Sequence, residues 1–436
     1  MITKFNKTMH FAYALKSRPY ALMWIGQAIS SLGDWTFNVA LAWQVLLMTH
    51  SSTSIGIVLL ANMVPRLAFT LIGGVTADRF SRRTIILWSD GGRGLIVLMV
   101  SLLGFTGHLQ LWFLIIESLF LGTFSGFFNP AVTAIVPYLV EKEQLSSASA
   151  LTSFSTNLGM LLGPMLGALL ITLFSPMAAF LLDALSFFIS VIFLLFVRIP
   201  EHHASEYQQN LVETKKVIEE EKATHIKSKR FRRVIEEMQE GVSYVIKVRW
   251  LWVLIVALAF ANVGYMATLS VAMPKLVSDV YRQGSWLLGL INTTGAIGAI
   301  IAIIVAVQAK YVKRRGLLGC IALGLPCIGM LIFGLPFPLA VVPMTASLAS
   351  FLTSFGLSFF NTIWFTILYE TVPSEKLGRV ISIDSLGSFL MIPVGYIVGG
   401  IIADHIGPSA VFIFFGLFNA VFVLIPLFVH DVRVLE

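Results

Sequence analysis

Four polar residues of the first apolar stretch, Gln27, Ser31, Asp34 and Asn38, are spaced by four, three and four. At 100° per residue a helix brings them within an arc of about 60°. That makes a polar stripe on an otherwise apolar helix, suited to lining a cavity. A carboxyl at the centre of such a stripe can exchange a proton or face a cationic substrate, and Asp34 is the first candidate. The alternative is a structural carboxylate that caps a neighbouring helix or pairs with an arginine. Glu117 is a second candidate, and Arg66 is a possible partner for either acid. Asp90 and Arg93, three residues apart, pair with each other or with the loop before them. Asp183 lies nearer the end of its apolar stretch and ranks lower. Each such group inside a membrane span costs about 2.5–3.5 kcal/mol on insertion scales, so each needs a partner or a wet cavity.

The elements that must position these residues are membrane helices. Of 436 residues 57% are hydrophobic and only 12% charged, about half the charge of an ordinary soluble chain. The apolar residues come in blocks of about 20, the length that crosses about 30 Å of hydrocarbon as a helix, and helices satisfy their own backbone there. Twelve spans are expected near 21–48, 55–76, 84–105, 109–131, 146–173, 176–198, 250–274, 286–308, 316–335, 338–366, 379–402 and 408–429. The fold class is an all-α membrane protein of twelve transmembrane helices in two six-helix bundles. The bundles occupy 1–198 and 250–436, joined by a polar linker, 199–249. Within the linker Phe231, Val234, Ile235, Met238, Val242 and Val245 recur at helical spacing and read as an amphipathic surface helix.

Position explains the formal charge of +7 better than nucleic acid does, and no nucleic-acid partner is expected. About 26 of the 30 Lys and Arg residues fall on one side of the membrane, against Lys275 and Arg282 on the other. The positive-inside rule puts both termini and the linker in the cytoplasm. The basic N-terminus is not followed by a short apolar run with a cleavage site, so the first helix should be retained. Cys320 and Cys327, in one apolar segment, read as small buried hydrophobes.

The two halves repeat at a constant shift of 232 residues. Ala77 to Arg83 falls on Ala309 to Arg315, Asn129 on Asn361, and Glu143 with Leu145 on Glu375 with Leu377. Gly163 and Gly167 fall on Gly395 and Gly399, and Pro176 on Pro408. An even number of spans per half makes the repeat parallel, so two rocking bundles could enclose a site at mid-membrane.

The stretch Gly74-Val75-Thr76-Ala77-Asp78-Arg79-Phe80-Ser81-Arg82-Arg83 resembles the signature loop between spans two and three of the major facilitator superfamily, with Ser81 where the family commonly has glycine. The resemblance implies that Gly74 allows close helix approach and that Asp78, Arg79, Arg82 and Arg83, with Asp90 and Arg93 nearby, latch a cytoplasmic gate. The second copy carries Lys310 in place of the acid. Gly159, Gly163, Pro164 and Gly167 are similar to the antiporter motif of span five, with Ala168 where a further glycine often follows. Small residues spaced by four permit tight packing, and the proline permits a bend. Leu22 to Gln27, Ser31 to Asp34 and Glu240 to Tyr244 resemble the branch of bacterial exporters that includes macrolide efflux proteins and the enterobactin exporter. The span-four arginine of drug–proton antiporters is missing: four residues before Gly122 stands Ser118, beside Glu117.

The resemblance implies a secondary exporter of small hydrophobic or amphiphilic compounds, of drug, macrolide or siderophore type, in a bacterial inner membrane. Proton antiport by alternating access would drive it. A nucleotide-binding loop is missing from the sequence, and no cofactor or metal is called for. Its partners would be the amphiphilic substrate, protons and membrane lipid, and its expected state is a monomer. The Phe and Met residues would supply a greasy, adaptable pocket. Ser347, Ser350, Ser354, Ser358 and Asn361 share one face of span ten and serve either cavity or packing. Rival readings are a lipid or lipopeptide transporter, a nutrient importer, a transport-inactive membrane sensor and a membrane-embedded enzyme. The scattered histidines argue against the enzyme.

Overall fold

The computed structural model describes residues 12–198, 239–308 and 315–434. The linker residues 199–238, which hold most of the expected amphipathic helix, and the second-copy loop through Arg314 lie outside them. Among the described residues the chain is helical throughout. The first half contains α1 (Arg18–Thr49), α2 (Ser52–Arg79), α3 (Arg82–Phe105), α4 (Leu111–Ile135), α5 (Leu145–Leu173) and α6 (Pro176–Leu195). The second half contains α7 (Arg249–Met266), α8 (Ser285–Gln308), α9 (Arg315–Gly334), α10 (Val342–Thr371), α11 (Ser374–Leu390), α12 (Ile392–His405) and α13 (Pro408–Leu427).

Eleven stretches among the described residues are long and apolar enough to cross a membrane. The helix outside that set is α1. Its 32 residues give more than the necessary length, about 1.5 Å per residue, but its polar stripe dilutes its apolar character. The expected seventh span, 250–274, is longer than its sequence suggested. α7 continues through two wider, π-type turns, Ala267–Ala272 and Leu276–Val280, to Val280. The break in the eleventh span falls just before Ile392, with Pro393 in the first turn of α12, where a missing N–H costs nothing.

Local chemistry sets the ends. Pro176 and Pro408 each open a helix. Gly107, at φ +74°, turns the chain between α3 and α4, and Gly407, at φ +122°, precedes α13; both backbones sit where a side chain is strained. Large apolar side chains such as Trp88, Phe174, Met344 and Phe428 are left exposed, as lipid-facing residues are when the bilayer is the solvent.

The chain divides into two units: Met1–Gln44 with Val58–Ile226, and Val45–Ile57 with Lys227–Glu436. In the first, Tyr20, Met23, Ile86, Phe128, Ile135 and Leu194 belong to one buried cluster. In the second, Leu251, Leu254, Phe360, Trp364 and Val432 do the same, together with Cys320 and Cys327. Both cysteines are free and buried.

The turn between α1 and α2 groups with the second unit because the Asp404 carboxylate gathers it in. The amides of Ser52 and Thr53 donate to Asp404 Oδ1 and Oδ2 at 2.8 and 2.9 Å, and Ser51 Oγ donates to Oδ2 at 2.6 Å. Lys275 Nζ completes the shell, 2.6 Å from Oδ1. An anion at the opening turn of α2 satisfies orphan N–H groups and suits the helix dipole.

Candidate functional site

Within the first unit, α1 is held against α5 by glycine. A Cβ on Gly159 would lie 2.8 Å from Trp35 and 2.9 Å from Ser31 Oγ; on Gly163, 2.4 Å from Trp35 Cβ; on Gly167, 2.7 Å from the Thr36 carbonyl oxygen. Thr36 Oγ1 donates to the Gly163 carbonyl at 3.1 Å, which ties a side chain of α1 to the backbone of α5. Near the other end of the contact, Tyr20 Oη donates to Ala148 O at 2.8 Å and Trp24 Nε1 to Leu151 O at 3.0 Å. The span-five motif is therefore the surface on which the polar helix is seated.

Seating α1 this way leaves a cavity of about 290 Å³ between it, α4 and α5. Tyr20, Trp24 and Phe128 give it aromatic walls, while Gln27, Ser31 and Asp34 give it polar ones. Mixed aromatic and polar walls with a single carboxyl suit an amphiphilic small molecule.

Behind the cavity lies a charged cluster. Arg93 and Asp90 form an ion pair within α3. Ser190 Oγ donates to Asp90 Oδ2 at 2.7 Å, and Gln27 Nε2 reaches both Asp90 Oδ2, at 3.2 Å, and Ser190 Oγ, at 3.0 Å. The Arg93 guanidinium lies over the rings of Phe128 and Phe187, at 4.0 and 4.5 Å to their centroids, a cation–π sandwich. Arg93 is also within electrostatic reach of Asp34 and Asp183, and Asp183 in turn of Asp34 and Glu117.

Several sequence expectations change here. Asp183 is buried and packs on α1: a Cβ on Gly33 would come within 2.6 Å of its Oδ1. Glu117 is fully buried, and neither of its oxygens has a hydrogen-bond partner. Arg66, which the sequence offered as a possible partner for either acid, is exposed on α2. Among the described residues no ion pair joins it to Asp34 or Glu117; the guanidinium facing the acids belongs to Arg93, which α3 directs inward. Asn38 is exposed and donates to the Asp34 carbonyl of its own helix at 2.8 Å, so it extends the stripe without lining the cavity.

The signature loop also departs from expectation. No described atom lies within 4 Å of a Cβ built on Gly74, whereas one on Gly73 would meet the Gly126 carbonyl at 2.3 Å. Gly73, not Gly74, makes the close approach between α2 and α4. Arg83 donates from Nε to Leu194 O at 3.0 Å and from Nη2 to Leu195 O at 2.7 Å, so it caps the end of α6. Arg82 is buried over the Tyr138 ring, at 4.8 Å. Asp78 and Arg79 stand in the last turn of α2.

Comparison with known proteins fits this architecture. The family model described as Major Facilitator Superfamily matches residues 23–348 and 327–435. The chain belongs to the major facilitator superfamily. Macrolide efflux protein A of Streptococcus pyogenes is 22% identical over 95% of this chain and 96% of its own length. The staphyloferrin A transporter of Staphylococcus aureus is 25% identical over 92% and 93%. A crystal structure of a bacterial homologue of the iron transporter ferroportin, in an inward-facing state, superposes with a TM-score of 0.68 at 14% identity, covering 94% of this chain and 98% of that one. This superfamily member is thus a multi-pass membrane transporter with full-length efflux relatives.

Proposed function

We propose that this chain is a secondary exporter of small hydrophobic or amphiphilic compounds, and that it exchanges them for protons by alternating access. The observation that carries the reading is the place of Asp34. It lines an amphiphilic cavity on one side and lies within electrostatic reach of the buried Asp90–Arg93 pair on the other. Substrate and proton can therefore compete for one carboxyl. Efflux of a macrolide by one relative and handling of staphyloferrin A by another support small-molecule export.

In this reading Gln27 and Ser31 orient substrate beside Asp34, and Glu117 takes part from behind. Gly159, Gly163, Pro164 and Gly167 set the tilt of α1. Asp78, Arg79, Arg82 and Arg83, with Asp90 and Arg93, form a gate on the cytoplasmic side. The working chain is a monomer of two bundles, 1–198 and 250–436, joined by the linker 199–249, with both termini in the cytoplasm of a bacterium. Proton flux in proteoliposomes, followed with a pH-sensitive dye while macrolides, cationic dyes and siderophores are added, tests the proposal. Substrate-dependent proton movement that disappears in Asp34→Asn is expected. Unchanged coupling in that variant would remove Asp34 from the mechanism.

A further inference from the structure

Among the described residues, four buried or half-buried carboxyls share the interior of the first unit with the Arg93 guanidinium. Asp34 comes from α1, Asp90 and Arg93 from α3, Glu117 from α4 and Asp183 from α6. α5 adds no ionisable side chain over its 29 residues, and Arg66 of α2 is exposed. Asp90 and Arg93 neutralise each other. Asp34 opens onto the cavity. Asp183 and Glu117 remain, 1% and 0% exposed, without a counter-cation of their own.

We propose that Asp183 and Glu117 form a second proton-binding site behind Asp34, so that the first unit carries more than one exchangeable proton. The proposal rests on the proton-antiport reading and deepens it.

The first support is the unmet bonding. Glu117 Oε1 and Oε2 and Asp183 Oδ2 are buried with no hydrogen-bond partner, and so is the adjacent Ser118 Oγ. An ionised Glu117 carboxylate so placed has lost its water and gained no hydrogen bond in return, and Asp183 gains only the Ser186 hydroxyl at 3.4 Å, so either charge costs several kcal/mol. A bound proton removes that charge. The second support is the lack of room for anything larger. Neither acid lines the cavity, so an organic cation cannot reach them. Among the described residues no three His, Cys, Asp or Glu side chains converge as metal ligands would. A proton is the cation that fits.

The third support is the connection to Asp34. Asp183 Oδ1 sits over Gly33, the residue before Asp34, where a side chain would displace it. Asp183 is also the group in electrostatic reach of both Asp34 and Glu117. Like charges repel across these separations, so the charge left on Asp34 when it releases its proton favours a proton staying on Asp183, and Asp183 stands in the same relation to Glu117. Asp183, Ser186 and Ser190 lie on one face of α6, and the Ser186 hydroxyl lies 3.4 Å from Asp183 Oδ1.

The test is infrared difference spectroscopy of the full chain in lipid nanodiscs between acid and alkaline pH, read in the carboxylic-acid C=O region. The expected result is one component lost in Asp183→Asn and another in Glu117→Gln, with both kept in Asp34→Asn. Asp183→Glu should restore a component where Asp183→Asn lost one. Acid bands unchanged in both neutral variants would overturn the proposal. Should a variant fail to fold, Asp34→Asn protein carrying 13C-carboxyl glutamate decides for Glu117 and 13C-carboxyl aspartate for Asp183: a shifted acid band supports the site, and its absence with either label overturns it. Protons moved per substrate, measured in proteoliposomes, should fall in Asp183→Asn while substrate affinity holds. If wild type moves no protons with any substrate, the antiport reading fails, yet the spectra still decide whether this site exists.

Discussion

Gly163 and Gly395 stand 232 residues apart, and each presses a helix backbone onto the opening helix of its own half. A Cβ on Gly163 would meet Trp35 Cβ at 2.4 Å, and one on Gly395 the Val263 carbonyl at 2.4 Å. Gly167 and Gly399 repeat the match against Thr36 and Ala267, each at 2.7 Å. The charges do not repeat. At the same shift Asp34 becomes Met266, Asp90 becomes Ala322, Arg93 becomes Leu325, Glu117 becomes Ala349 and Asp183 becomes Phe415. Polar groups inside the second unit are mostly neutral and answer backbone carbonyls: Tyr281 Oη to Phe333 O at 2.7 Å, Asn419 Nδ2 to Ala261 O at 3.1 Å, Ser350 Oγ to Ile291 O at 2.6 Å. Asp384 is the buried exception, held by Trp364 Nε1 at 3.2 Å. Close packing is what both bundles need in order to fold. Buried charge is costly, so its concentration in one half, among the described residues, marks it as serving something other than the fold.

The largest effect should come from the charge side of this comparison. Arg93→Met leaves Asp90 buried and unpaired and should destabilise the chain by about 3–5 kcal/mol. Its counterpart, Leu325→Met, conserves volume and should cost less than about 1.5 kcal/mol. The double variant Asp90→Asn with Arg93→Met should recover much of the loss, because removing both partners avoids the orphaned charge. Melting temperatures of the purified protein in one detergent check all three. Equal losses for Arg93→Met and Leu325→Met would break the contrast between the units.

The packing side should show symmetry instead. Gly163→Val and Gly395→Val each force a side chain into a space already filled, and each should cost about 1–3 kcal/mol. Gly74 and Gly324 have no described neighbour within 4 Å of a new Cβ, so alanine at either should be neutral or stabilising by up to about 1 kcal/mol. The same melts measure this. A large loss at Gly163 with none at Gly395 would mean that the repeat is kept in sequence but not in energetics.

These contrasts also explain what the sequence made legible. The stripe on α1 could be read because helical period alone brings Gln27, Ser31 and Asp34 together. The repeat could be read because its glycines and prolines are fixed by backbone contact. Asp183 was undervalued because counting residues from Pro176 gives its depth along α6 but not its neighbour on α1. A signal existed: Asp183, Ser186 and Ser190 recur at helical spacing, and Gly33 stands beside Asp34. The sequence pointed to Arg66 as a partner for the acids and paired Arg93 with Asp90 or the loop; that Arg93 faces the acids instead could not be read, since the direction of a side chain around its helix depends on packing. Gly73, one residue before the Gly74 of the loop pattern, makes the contact because a single step turns about 100° around the helix.

A smaller effect is expected where the second unit holds the α1–α2 turn. Asp404→Asn keeps the shape of the side chain but removes the charge that four donors share, and hydrogen bonds to charged groups contribute about 1.5–3 kcal/mol. Solvent at this edge lowers that figure. Amide hydrogen exchange at Ser52 and Thr53 should speed up, while exchange around Gly163 stays as in wild type. Unchanged protection at Ser52 and Thr53 would show that the turn is held by its packing on Tyr396 and Gly400, whose backbones it also touches, and not by the carboxylate.

The smallest effect belongs to the ion pair that looks most like Asp90–Arg93 in its geometry. Arg379 Nη1 reaches Glu240 Oε2 at 2.5 Å, but the two side chains are 32% and 56% exposed. In water the attraction is weakened by the solvent dielectric, and two long side chains must be ordered to make the bond, so such pairs contribute about 0–1 kcal/mol. Arg379→Gln should therefore shift the melting temperature little, and added salt should erase the difference, because exposed charges are screened. The Arg93→Met loss should persist in the same salt, since ions do not enter the space around Asp90. A salt-resistant loss at Arg379 would show that its stem, which packs beside Gly241, matters through contact and not through charge. A loss that salt erases at Arg379 and leaves at Arg93 would show that buried position, more than the presence of an ion pair, separates the two units.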